Sequence, residues 1–419
     1  MRIKKLLCLL TAAAMVCGMA AGCSSGDTES ESEAVSSQAE ESSSEAEPQT
    51  DEEWTQAMLE KSLVSYGNVT KMQEKLTAAQ NGEEINISYL GGSITEGVGA
   101  STSDLCYAKL SYDHVAEAFG TGENVTYNNA GISGTPSKLG VLRLDRDVLA
   151  YDPDICFIEF AVNDGTDTEY QTAYESIIRT LIENDVAVVL LFSRTSDGYS
   201  AQSYYMQEQG EYYDLPMISY NDAITYMIDN GQMTWEEFSD DTAHPNDNGH
   251  QLVADMIANY FDTVMDQTAE EYSYPEETLT SAYQYGAHMY ENTDLTADSE
   301  GSWTQMSNIS YFTNGWQHAG DADNEPITFT ITGKFVYLIY HEESAASQTY
   351  GIAHITITKD GEPYEEIDVD SVSSDGWGNP QVRCIGMSSS EVEYEITIEM
   401  AEGSEDKYFE ILGFGYTTE

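Results

Sequence analysis

Ile85-Asn86-Ile87-Ser88-Tyr89-Leu90-Gly91-Gly92-Ser93-Ile94-Thr95-Glu96-Gly97 is the stretch whose reading decides the fold. Its apolar residues alternate and then stop at two glycines, the pattern of a short buried strand that ends abruptly in a turn. Ser93 stands on that turn. In an open α/β sheet the carboxyl end of a strand is where ligands bind, and glycine there lets backbone N–H groups approach a ligand with no Cβ in the way. A tight strand-to-helix turn whose serine only caps the next helix has the same local sequence. The segments on either side decide between the two.

Downstream, strands and helices alternate. The predicted strands are 85–90, 125–128, 155–161, 186–192 and 216–219, and helical patterns lie between them near 105–119, 138–149, 170–183 and 222–229. A last helix over 249–264 carries Leu252, Val253, Met256, Ile257, Tyr260 and Phe261 on one stripe. Near-continuous apolar strands alternating with helices predict a parallel sheet covered on both faces, a three-layer α/β/α domain over 54–270. Upstream, residues 54–79 read as two helices broken near Gly67-Asn68. Beyond about Gln267 the period changes to two, with strands predicted at 327–332, 335–340, 352–358, 364–369, 392–400 and 408–414. Lys359-Asp360-Gly361-Glu362 is a hairpin turn, and short strands so connected predict an all-β sandwich within 271–419.

The N-terminus has a different character. Arg2, Lys4 and Lys5 precede an apolar run over 6–16 that is too short for a stable membrane span. Small residues then lead to Met19-Ala20-Ala21-Gly22-Cys23, which resembles a bacterial lipoprotein signal cleaved before a lipidated Cys23. An ordinary secretory signal is the competing reading, and both place the protein outside the cytoplasm. Residues 24–53 hold eleven acidic residues, all from Asp27 onward, and no basic ones; they read as a disordered spacer. Across 419 residues the net charge is −58, which excludes binding to phosphate backbones and so to nucleic acid. Behind Cys23 stand only Cys106, Cys156 and Cys384, an odd and widely spaced trio that makes neither a disulfide framework nor a zinc site.

Four blocks fall at predicted strand ends or ahead of the last helix: Gly92-Ser93, Asn129-Ala130-Gly131-Ile132-Ser133-Gly134, Glu159-Phe160-Ala161-Val162-Asn163-Asp164 and Asp240-Asp241-Thr242-Ala243-His244-Pro245. Their chemistry is complementary. A serine hydroxyl needs a base to become a nucleophile, and histidine suits that task near neutral pH. The imidazole needs a carboxylate to hold its tautomer, and Asp241 lies within reach of His244. An oxyanion needs donors, which the N–H groups of Ser93 and Gly131 and the amide of Asn163 can supply.

These blocks resemble those of the SGNH hydrolases, the GDSL esterase superfamily, over roughly 55–266. The resemblance implies a flavodoxin-like α/β/α fold, with Ser93 as nucleophile and Asp241 and His244 completing a triad. It also implies Ser93, Gly131 and Asn163 as the oxyanion hole, with no metal and no organic cofactor required. Two departures stand out: the family's Gly-Asp-Ser is Gly91-Gly92-Ser93 here, and its Gly-x-Asn-Asp is Ala161-Val162-Asn163-Asp164. The implied activity is a secreted, lipid-anchored carboxylic ester hydrolase acting on small acyl esters, acetyl above all, of carbohydrate. An O-acyltransferase acting on a glycan, or a glycan-binding lipoprotein with a vestigial triad, remain as alternatives. Asp164 is the lesser candidate for the triad acid, and His250 reads as a structural residue of the last helix. Arg143 and Arg146 read as members of ion pairs. Trp377, on the glycine-rich loop Asp375-Gly376-Trp377-Gly378-Asn379, reads as a packing residue with a sugar platform as its alternative.

Overall fold

The computed structural model describes residues 48–281, 283–306 and 309–418. The expected signal peptide, Cys23 and most of the acidic spacer lie outside the described residues. Helix α1 (Asp51–Ser62) begins before the predicted end of that spacer. Thr50 and Glu53 form a capping box there: the Thr50 hydroxyl accepts from the Glu53 N–H at 3.2 Å, and the Glu53 carboxylate accepts from the Thr50 N–H at 3.0 Å. Three acidic residues in the first turn complement the helix dipole.

The chain continues through β1 (Leu63–Ser65), α2 (Thr70–Gln80), β2 (Ile85–Gly91), α3 (Ser93–Glu96), α4 (Tyr107–Ala118), β3 (Val125–Gly131), α5 (Ser137–Leu142), α6 (Leu144–Asp147) and β4 (Ile155–Glu159). It then runs through α7 (Thr168–Glu183), β5 (Ala187–Phe192), α8 (Gln207–Tyr212), β6 (Met217–Ser219), α9 (Tyr220–Asp229), α10 (Trp235–Phe238) and α11 (Asp247–Val264). The strands form a six-stranded sheet in the order β1-β6-β5-β4-β2-β3. Pairing is parallel from β6 to β3, while β1 adds an antiparallel edge against β6. That edge strand is absent from the sequence reading, because so short a strand offers no period to detect.

Successive side chains of the central strands face opposite layers. Leu90, Cys156, Ile158, Val188 and Leu190 join the core under α5 and α7. Ile87, Tyr89, Phe157, Val189 and Leu191 join the core under α2, α4 and α11. Because β3 follows β2 on one side and β4 lies on the other, the loops after β2 and β4 diverge. A crevice therefore opens at the carboxyl ends of these strands.

Beyond α11 come β7 (Ala287–Tyr290), β8 (Trp316–His318), β9 (Ile327–Ser344), β10 (Ile352–Lys359), β11 (Glu362–Asp370), β12 (Val372–Ser373), β13 (Asn379–Met400) and β14 (Phe409–Thr417). The separate strands expected at 327–332 and 335–340 are one long strand, β9. It pairs with β13 along both halves, with a register break between Met387 and Val392. The first half of β9 and the second half of β13 lie on the side of β10 and β11. The other halves continue to β14, which pairs with β7 and β8. The two layers close over Phe329, Ile331, Leu338, Ile355, Ile396 and Phe414 and form the β-sandwich.

The sandwich and the α/β part share a core. Tyr337, Ile339 and Leu412 of the sandwich cluster with Leu139 and Leu142 of α5. The connecting segment is held by the buried Glu175 of α7, whose carboxylate accepts from the N–H groups of Leu279 at 2.5 Å and Thr280 at 2.6 Å.

Candidate active site

Ser93 opens α3 directly after β2 and Gly92. Its Oγ lies 2.8 Å from His244 Nε2, although the two residues are 151 positions apart. His244 sits in the loop between α10 and α11. That loop is pinned by the Ser239 hydroxyl, which donates to the His244 carbonyl at 2.6 Å, and by Asn246, whose side chain caps α11. Asp241 Oδ1 accepts from the N–H groups of Ala243 and His244, both at 2.7 Å. This orients Oδ2 toward His244 Nδ1, also at 2.7 Å. Partial burial pulls the Asp241 carboxyl upward, but the two N–H donors and the imidazole outweigh it and hold the group below its ordinary value. A carboxylate at Nδ1 keeps the proton there, which leaves Nε2 to accept the proton of Ser93.

The Asn163 amide packs on the backbone of Gly92: a Cβ at that position would lie 2.4 Å from Asn163 Oδ1 and 2.9 Å from Nδ2. Here glycine rather than aspartate precedes Ser93, and the Asn163 amide fills the space a side chain would need. Asn163 Oδ1 is buried without a partner, and its Nδ2 donates to no described residue. That amide is therefore available to a ligand. Gly131 differs from expectation. Its N–H already donates to Asn129 Oδ1 at 2.9 Å, within its own turn, so it is not a free oxyanion donor. Asn129 in turn donates from Nδ2 to the Thr95 carbonyl at 2.8 Å and ties this loop to α3. Gly134, later in the same loop, has φ +72 and an N–H with no acceptor among the described residues.

Trp377 bears on the same point. Its ring belongs to the sandwich yet is 57% exposed, which is not the packing role expected for it. A Cβ on Gly134 would come within 2.7 Å of Trp377 Cζ2, so the indole edge lies against this loop.

The remaining candidates fall behind the crevice. Asp164 is buried and accepts from the Ser137 N–H at 2.7 Å and the Tyr205 hydroxyl at 2.8 Å, and no hydrogen bond joins it to His244. His250 is buried; its Nδ1 accepts from the Tyr107 N–H at 3.2 Å and its Nε2 faces the Val98 carbonyl at 3.2 Å. Burial lowers its tendency to protonate. Arg143, fully buried, donates to the carbonyls of Gly91 at 2.9 Å and Ala130 at 2.8 Å and to Asp147 at 3.0 Å. It thus braces the carboxyl ends of β2 and β3, where the Ser93 turn and the 131–134 loop begin. Beneath α3, burial raises the Glu159 carboxyl to about 7, against hydrogen bonds from Ser193 and Thr95.

Residues 89–252 match the model of the GDSL-like Lipase/Acylhydrolase family. The chain is also similar to a two-domain esterase (CEX) active on acetylated mannans, solved alone and co-crystallized with mannopentaose. For the mannopentaose complex the identity is 25% and the TM-score 0.75, covering 86% of this chain and 98% of that one. For the other structure the identity is 26% and the TM-score 0.75, with the same coverage. No curated protein matches the chain.

Proposed function

We propose, from the match of residues 89–252 to the GDSL-like lipase/acylhydrolase family, that the chain is a carboxylic ester hydrolase that removes acetyl groups from carbohydrate through Ser93, His244 and Asp241. The single observation that carries the mechanism is the unbroken row Asp241–His244–Ser93, with contacts of 2.7 and 2.8 Å. Ser93 Oγ attacks the ester carbonyl as His244 Nε2 takes its proton. The tetrahedral oxyanion receives hydrogen bonds from the Ser93 N–H and the Asn163 amide. Collapse breaks the bond to the leaving alkoxide, which takes the proton from His244, and an acyl-serine remains. Water, losing a proton to the same imidazole, then releases the carboxylic acid. No step calls on a metal or organic cofactor.

The acetylated-carbohydrate part of the reading is supported by the esterase similar over most of both chains, and by the exposed Trp377 beside the 131–134 loop. The N-terminal pattern supports attachment through Cys23 at the outer face of the membrane. A Cys23→Ser variant should then be recovered free of the membrane fraction, and continued membrane attachment would count against the anchor. Acetate release from acetylated glycans and from an aryl acetate, parent beside Ser93→Ala, tests the mechanism. Both activities should disappear in the variant, and an aryl acetate turned over at the parent rate would remove the mechanism. Acetate appearing only when a sugar acceptor is supplied would instead favour the acyltransferase.

A further inference from the structure

A cavity of about 320 Å³ opens where the edge strand β3 and the loop after it meet the sandwich. Its volume lies within the range of about 300–1,000 Å³ common for small-molecule sites; Gly131 is in its wall, but none of Ser93, Asn163, Asp241 and His244 lines it. We infer that this cavity binds a neutral sugar unit of the glycan chain, at a distance from the unit whose ester is cleaved. The inference rests on the reading that the ester substrate is a carbohydrate.

Charge is the first argument. Arg146 reaches into the wall, and each nitrogen of its guanidinium already donates to a carboxylate. It donates to Asp147 at 2.6 and 3.0 Å and to Glu291 at 2.7 Å. Asn314 also donates to Glu291, at 3.2 Å. An anionic ligand would have to compete with two carboxylates for one cation, and a cationic ligand would have to displace that cation. A neutral ligand leaves the set intact.

Hydrogen-bonding capacity is the second. Among the described residues, the side-chain oxygens of Asn128 and Asn314 accept no hydrogen bond, and the Tyr151 hydroxyl makes none. Acceptors beside a phenol suit a ligand rich in hydroxyls. The third argument is aromatic. Tyr151 and Tyr311 both line the cavity and are each 54% exposed, so their rings stay open to a ligand. Tyr311 is held there at φ 71, a left-handed backbone that a bulky residue rarely adopts. Such rings offer flat apolar faces to the C–H side of a sugar ring.

The cavity also adjoins the catalytic crevice. The Tyr311 hydroxyl donates to Glu96 at 3.1 Å, and the same carboxylate holds the Ser133 N–H at 2.8 Å, one residue before Gly134.

The test measures calorimetric binding of unacetylated mannopentaose, xylopentaose and cellopentaose to the full chain and to Tyr151→Ala, Tyr311→Ala and Tyr311→Phe, with unfolding midpoints to confirm folding. At least one pentasaccharide should bind the parent. Each alanine variant should bind at least fivefold more weakly, and Tyr311→Phe should bind as the parent does. No binding to the parent, equal binding by the alanine variants, or loss in Tyr311→Phe equal to that in Tyr311→Ala overturns the inference. Acetate release from acetylated pentasaccharides by the parent is scored separately. Release combined with unaltered binding in the variants removes the cavity and keeps the activity. Absence of release beside rapid aryl acetate turnover removes the activity, while binding lost on Tyr151→Ala still supports the cavity.

Discussion

Asn163 and Asp241 occupy opposite ends of the proposed chemistry, and their surroundings assign them different costs of removal. Asn163 makes no side-chain hydrogen bond within the described protein, so its replacement breaks nothing that folding depends on. Asn163→Ala should therefore lower kcat by roughly 10²–10³-fold with the unfolding midpoint little changed. A rate within a few fold of the parent in single-turnover measurements would exclude an oxyanion role. Asp241 is tied into its loop by two backbone donors, so Asp241→Ala must disturb the loop as well as the imidazole. Arg143 shows the structural extreme. It is buried and spans the Gly91 and Ala130 carbonyls and Asp147, and removing it leaves two strand-end carbonyls without this donor. Arg143→Met should cost about 3–5 kcal/mol of stability, measured by denaturant unfolding. A loss below about 1 kcal/mol, the value of a surface pair, would show that the brace carries little.

At the scale of elements, the rigid core beneath the crevice holds carboxyl groups that respond to pH. Glu159 ends β4 and lies under α3, and burial raises it to about 7 from an ordinary value near 4.5. Its folded form binds a proton more tightly than its unfolded form. The associated stability is full below about 4.5 and is lost as pH rises through 7. The difference corresponds to roughly 3 kcal/mol. Asp164 behaves in the same sense, raised by burial to about 7. His250 works in the opposite direction: burial lowers it, so its contribution is present above its ordinary value near 6.5 and lost as pH falls. Comparing Glu159→Gln with the parent isolates the first effect. The variant should gain on the parent between pH 5 and pH 8 in unfolding free energy, and a constant difference across that range would refute the assignment.

On the scale of the whole molecule, the two parts share a core. Tyr337, Ile339 and Leu412 complete the same apolar cluster as α5, and Gly415 lies so close to Leu142 that a Cβ would stand 2.5 Å from its Cδ1. Residues 48–419 should unfold in one calorimetric transition, and two separated transitions would mean the parts are independent. The sandwich also reaches the active-site rim through Trp377. Trp377→Ala should reduce kcat/KM on an acetylated glycan by about tenfold, the equivalent of about 1.4 kcal/mol of stacking, and by less on an aryl acetate. Equal losses on both substrates would make the indole a packing residue after all.

Sequence by itself determined what local chemistry and periodicity can encode. The period of two in 85–90 and the glycines after it placed a serine at a strand end, and the change of period near Gln267 announced a second kind of core. Asp241 and His244 are three residues apart, so their contact was a local matter. What only the tertiary structure decided depended on distant partners. The edge strand Leu63–Ser65 exists because β6 offers it hydrogen bonds. The strands predicted at 327–332 and 335–340 fuse because β13 runs beside both halves. The Gly131 N–H is taken by the Asn129 side chain, and the loop at Gly134 meets the edge of an indole from another part of the chain. A sequence carries the preferences of each segment; which strands pair, and which side chains meet across the loops, is settled only when segments far apart in the chain compete for the same space.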